Sequence, residues 1–113
     1  FNYNRVVGDR VVVTEGVFDA IAVGDGAVAS FGKSLSQRQL ILLKKFKEVI
    51  FYWDDDAYDQ VERYANKMSG IVRMVLHPDE MDAGSRSYEK NQQIIEESVF
   101  VGSVASAIFS IGR

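Results

Sequence analysis

The chain has no cysteine, one proline and one histidine among its 113 residues. The missing cysteine excludes disulfides, thiolate zinc sites and a cysteine nucleophile. The single proline, with only nine glycines, excludes proline-rich or collagen-like low complexity. A lone histidine, His77, excludes a metal site built from several imidazoles. No apolar run approaches the roughly 20 residues that cross a bilayer. The N-terminus also lacks the basic, apolar, small-residue order of a secretory leader, so a cytoplasmic setting with no membrane partner is expected. Chemistry here must therefore rest on carboxylates, hydroxyls, lysines, arginines or a bound ion. What is present is 47% hydrophobic and 26% charged residues, ordinary composition for one globular core. The first residue is Phe1 rather than methionine, so the chain is expected to be a piece of a longer protein.

The net charge of −3 says little, but its distribution says more. Between Lys33 and Lys47 lie Lys33, Arg38, Lys44, Lys45 and Lys47 with no acid; between Asp54 and Glu62 lie Asp54, Asp55, Asp56, Asp59 and Glu62 with no base. Either block alone reads as a solvated helix face; together they suggest an acidic metal centre beside a surface for a polyanion. Four apolar runs, Val11–Thr14, Ala27–Phe31, Val49–Trp53 and Ile71–Leu76, are mostly continuous rather than alternating, as strands buried on both faces are. Helical spacing fills the gaps: Val17–Val23 after Gly16, a capping box of Ser36 and Gln39 before Leu40, Leu43 and Phe46, and an Ala57–Val61–Tyr64–Ala65–Met68 stripe closed by Ser69-Gly70. Asp79 to Ser87 reads as a polar loop, Tyr88 to about Ser98 as a helix, and Val99–Ile111 as a packed terminal helix. The expectation is a single α/β domain, three-layered α/β/α, with a four-stranded parallel doubly wound sheet in the order 2-1-3-4. Its core spans about residues 5–85, and 86–113 form a helical extension.

In such a sheet ligands bind beyond the carboxyl ends of the strands. Glu15 follows the first strand with Asp19 a turn further on; Asp54, Asp55 and Asp56 follow the third; His77 and then Asp82 follow the fourth. Carboxylates crowded at one edge call for a divalent cation, and hard oxygen donors point to Mg²⁺ or Mn²⁺. Each acid also has a structural reading. Asp56 and Glu15 are suited to flank or cap the helices that follow them, Asp55 to face solvent, Asp19 to form a salt bridge, and Asp82 to make a turn. His77 is suited to packing.

Val12-Val13-Thr14-Glu15-Gly16-Val17-Phe18-Asp19-Ala20 resembles the glutamate motif that opens the Toprim domain of bacterial and phage DNA primases. Tyr52-Trp53-Asp54-Asp55-Asp56 resembles that domain's Asp-x-Asp motif, and Ala27 to Ser36 is similar to the segment leading into its Gly-Thr/Ser turn. Phe1-Asn2-Tyr3-Asn4 resembles the lead-in to the glutamate motif. The likeness spans residues 1 to about 85. It implies a nucleotidyl- or phosphoryl-transfer domain that synthesises RNA primers, with single-stranded DNA, ribonucleoside triphosphates, nascent RNA and a replicative helicase or helicase domain as partners. It implies that Glu15 acts as acid, base or metal ligand, that Asp54 and Asp56 hold Mg²⁺ or Mn²⁺, and that Asp19 adds a further acidic contact. Primases often carry Asp-Pro-Asp after the fourth strand; here Met81-Asp82-Ala83-Gly84 keeps only Asp82. Lys33, Arg38 and Lys44 are candidates for contact with nucleic acid. Two other readings share these acids: a Toprim nuclease, and a non-catalytic module that binds nucleic acid or protein.

Overall fold

The structure is a computed structural model that describes residues 8–102. Its strands are β1 (Arg10–Thr14), β2 (Ala27–Ala29), β3 (Glu48–Tyr52), β4 (Ile71–Met74) and β5 (Val99–Phe100). The helices are α1 (Val17–Val23), α2 (Gln37–Leu43), α3 (Tyr58–Ala65) and α4 (Tyr88–Glu96). The sheet order is β2-β1-β3-β4-β5. The first four strands are parallel and lie in the expected order, and β5 runs antiparallel to β4.

Pleating splits the apolar runs between two cores. Val11, Val13, Val49, Phe51, Val72 and Met74 face one side, where they meet Leu43 of α2 with Val61 and Ala65 of α3. Val12, Ile50, Tyr52, Ala27 and Ala29 face the other, against Ala20 and Val23 of α1 and Ile94 and Ile95 of α4. This two-sided burial is why the strands lack a polar face. Helix α2 begins with the capping box that the sequence foretells: Gln39 N donates to Ser36 Oγ and Ser36 N donates to Gln39 Oε1. No helix among the described residues is long and apolar enough to cross a membrane.

Two expectations need correction. The sheet has five strands rather than four, and Val99–Phe100 is strand, not helix. The edge of β4 offers unpaired backbone groups, and Val101 N donates to Val72 O at 2.9 Å. Gly102 at φ 91° then turns the chain in a way that a helix does not accommodate. The rest of the expected terminal helix, 103–113, and the lead-in at Phe1-Asn2-Tyr3-Asn4 lie outside the described residues. The second correction is that β2 stops at Ala29, because Phe31 takes a left-handed backbone with φ 64°.

Candidate active site

Glu15, Gly16, Asp19, Tyr52, Asp54, His77, Asp82 and Ala83 line one crevice of about 260 Å³. It opens beyond the carboxyl ends of β1, β3 and β4, where the parallel topology puts a switch point. The floor is built by backbone exchange between strand ends. Buried Thr14 has its hydroxyl 3.0 Å from Gly16 O and 3.1 Å from Val28 O. Phe31 N donates to Glu15 O at 2.8 Å, so the turn after β2 holds the glutamate's own peptide.

Glu15 does not cap α1: Gly16 occupies that position and no side chain bonds there. Among the described residues Asp19 makes no salt bridge; its Oδ1 accepts from Gly84 N at 2.7 Å, which ties α1 to the 3₁₀ turn Ala83–Ser85. Asp82 both lines the crevice and makes a turn, since Oδ1 accepts from Ser85 N at 3.0 Å. Asp54, Asp55 and Asp56 are all exposed at the head of the 3₁₀ turn Asp55–Ala57. Asp56 caps no helix and does not line the crevice; its carboxylate is held 3.0 Å from Lys33 Nζ. Lys33 Nζ also lies 3.2 Å from Asp54 Oδ2. The hydrogen bond to Asp56, then that to Asp54, raises the Lys33 pKa above its ordinary 10.5, so the ammonium stays charged at neutral pH.

Arg38 and Lys44 are exposed on and just after α2. The basic segment divides in space: Lys33 belongs to the acidic end, whereas Lys44, Lys45 and Lys47 flank a groove of about 450 Å³ beside the start of β4, at the opposite end of the strands.

A buried network supports the crevice that sequence patterning does not reveal. Arg86, its side chain 2% exposed, donates to Tyr52 Oη at 2.7 Å and to Asp79 Oδ1 at 2.6 Å. The Tyr52 hydroxyl in turn donates to Asn91 Oδ1 at 2.7 Å. Burial raises the Tyr52 pKa against the opposing pull of Arg86, keeping the phenol protonated. His77 Nε2 sits 2.9 Å from Trp53 O, and its Nδ1 lies 3.3 Å from Arg86. Donation from Nε2 to the carbonyl leaves Nδ1 as the acceptor facing the guanidinium, so the histidine serves packing rather than ligation.

The donor chemistry at the crevice is oxygen alone apart from His77, which suits a hard divalent cation. Among the described residues no three acidic or histidine side chains converge into a ready-made cage. Mg²⁺ commonly takes one or two carboxylates and fills its remaining positions with water and phosphate oxygens. Lys33 Nζ is seated between the Asp54 and Asp56 carboxylates, within ion-pair distance of both.

No protein-family model matches the chain, and no curated protein matches it. Among solved structures it is similar to the Aquifex aeolicus primase, in a structure containing the zinc-binding and RNA polymerase domains, with a TM-score of 0.68 at 21% identity. The likeness covers 82% of this chain and 27% of that one, so the chain spans about a quarter of the neighbour's length. It establishes a shared fold.

Proposed function

We propose that this chain is the Toprim-type catalytic domain of a DNA primase, joining ribonucleotides on a single-stranded DNA template in a metal-dependent reaction in the cytoplasm. The observation that carries the reading is the crevice itself. Glu15 and Asp54 come from the ends of adjacent parallel strands and line one cavity with Asp19 and Asp82. The fold shared with a primase supports it.

In this reading Asp54 and Asp56 would hold Mg²⁺ or Mn²⁺, with Glu15 as a further ligand or proton carrier. The ion, when bound, neutralises triphosphate charge and aligns an in-line displacement at phosphorus. Glu15 handles the proton of the attacking 3′-hydroxyl, and Gly16 beside it leaves room for substrate close to the backbone. Asp19 fixes the Ala83–Ser85 turn through Gly84 and so shapes the far wall. Arg38 and Lys44 supply phosphate contacts that position nucleic acid without reading its sequence.

Glu15→Gln keeps size and hydrogen bonding but removes charge and proton transfer. In its full-length context, with single-stranded template, ribonucleotides and Mg²⁺, this variant should remain folded. It should lose about 10²- to 10⁴-fold in short-RNA synthesis. Metal-dependent cleavage without synthesis would assign the crevice to a nuclease. Neither activity in a folded protein would leave a binding module.

A further inference from the structure

Lys33 reaches the Asp54–Asp56 pair from a turn whose conformation is over-determined. Phe31 has φ 64°, an uncommon backbone for a bulky residue, and is 68% exposed. Gly32 follows at φ 141°. The turn is held from below by buried Ser30, whose backbone N donates to Thr14 O at 2.9 Å. Its hydroxyl lies 2.6 Å from Gly32 O and 3.1 Å from Thr14 O. Gln39 Nε2 adds a bond to Ser30 O at 3.2 Å. Phe31 N also donates to Glu15 O at 2.8 Å, so these bonds together fix a turn that contains a left-handed, bulky residue. The turn's product is an ammonium within 3.0 to 3.3 Å of two separate carboxylates.

Resting on the metal site proposed above, we infer that Lys33 is the resident counter-cation of that site and makes it select a metal–triphosphate complex over the bare metal ion. A bare divalent ion that takes Asp54 and Asp56 displaces the ammonium and leaves it facing another cation at close range, which opposes binding. An ion that arrives with a polyphosphate brings an anion for the displaced ammonium. The fixed turn keeps that ammonium beside Asp54, a residue of the crevice wall, within reach of an anion bound there. The same side chain thus weakens one ligand and strengthens the other.

The test is binding, with no turnover required. Mn²⁺ uptake is followed by water-proton relaxation, and ATP uptake in saturating Mn²⁺ by calorimetry, for the wild type, Lys33→Met, Lys33→Arg and Asp54→Asn. Because exposed ion pairs contribute little to stability, Lys33→Met should unfold at nearly the wild-type temperature. It should bind bare Mn²⁺ at least about threefold more tightly and bind ATP with Mn²⁺ more weakly. Lys33→Arg should resemble the wild type in both. If Lys33→Met leaves Mn²⁺ affinity unchanged or lowers it, or leaves nucleotide affinity unchanged, the inference is overturned while the metal site stands. If the wild type takes up no more Mn²⁺ than Asp54→Asn, the metal site itself fails and the role of Lys33 falls with it.

Discussion

Arg86 is the only charged residue buried among those described, and it joins Asp79, Tyr52 and His77 behind the acidic crevice. Its Nε finds no hydrogen-bond partner among the described residues, so the guanidinium depends on the contacts made by its terminal nitrogens. The hydrogen bond from Arg86, then that from Met81 N, holds the Asp79 carboxyl below its ordinary 3.8. A carboxylate with a lowered folded-state pKa contributes stability above its unfolded value and loses it as pH falls through the folded one. Asp79→Asn should therefore melt at a lower temperature than the wild type at pH 7, and the two curves should converge as the pH is taken down through 3.8 and below. A difference that persists unchanged into acid would mean that the charge plays no part. Glu15 and Asp54, just past the ends of β1 and β3, were legible in the sequence because apolar runs locate strand ends, and Asp82 because it lies in the polar loop after β4. Arg86 was not, since it sits in a polar loop with no periodicity to mark what it turns towards. The pairing of Lys33 with Asp56 was hidden too: 23 residues separate them, and they meet across the turn that contains the left-handed Phe31.

At the scale of elements, α1 begins and ends where spacing alone places it, Val17–Val23. The Ser36–Gln39 box is formed as written. Local signals of this kind need nothing beyond a few neighbouring residues. The short β5 is illegible for the opposite reason: two residues become a strand only because the edge of β4 is there to receive them, and Arg73 lies over the Phe100 ring at 5.5 Å. Gly70 shows how closely elements approach one another. Before β4 the chain passes so near the end of α2's trailing turn that an added Cβ would lie 2.6 Å from Lys47 O. That contact is backbone and cannot swing aside, and Lys47 O also receives Ile71 N at 2.8 Å to start β4. Gly70→Ala should cost about 1–3 kcal/mol in chemical denaturation, with the m-value unchanged. A neutral substitution would show that the turn has room to shift.

Among the described residues, Glu15, Asp19, Asp54 and Asp82 line a crevice beyond the carboxyl ends of the parallel strands, and Lys44, Lys45 and Lys47 line a groove at the other end, where Asp9 pairs with Lys47. Helix α2 spans the interval with Arg38 near its start and Lys44 at its close. If nucleic acid follows that helix, neutralising Arg38 and Lys44 together should weaken single-stranded DNA binding by the full-length protein. The slope of log affinity against log salt should flatten by about 1.4, the release of counterions from two phosphates. An unchanged slope would return the segment to a solvated helix face. The sheet that organises this arrangement finishes, among the described residues, in three-residue β2 on one side and two-residue β5 on the other. Rims that short expose few free amide and carbonyl groups for a neighbouring molecule to extend. Central strands apolar on both faces would be an aggregation hazard if laid bare, and here they are flanked by borders too brief to template a fibril.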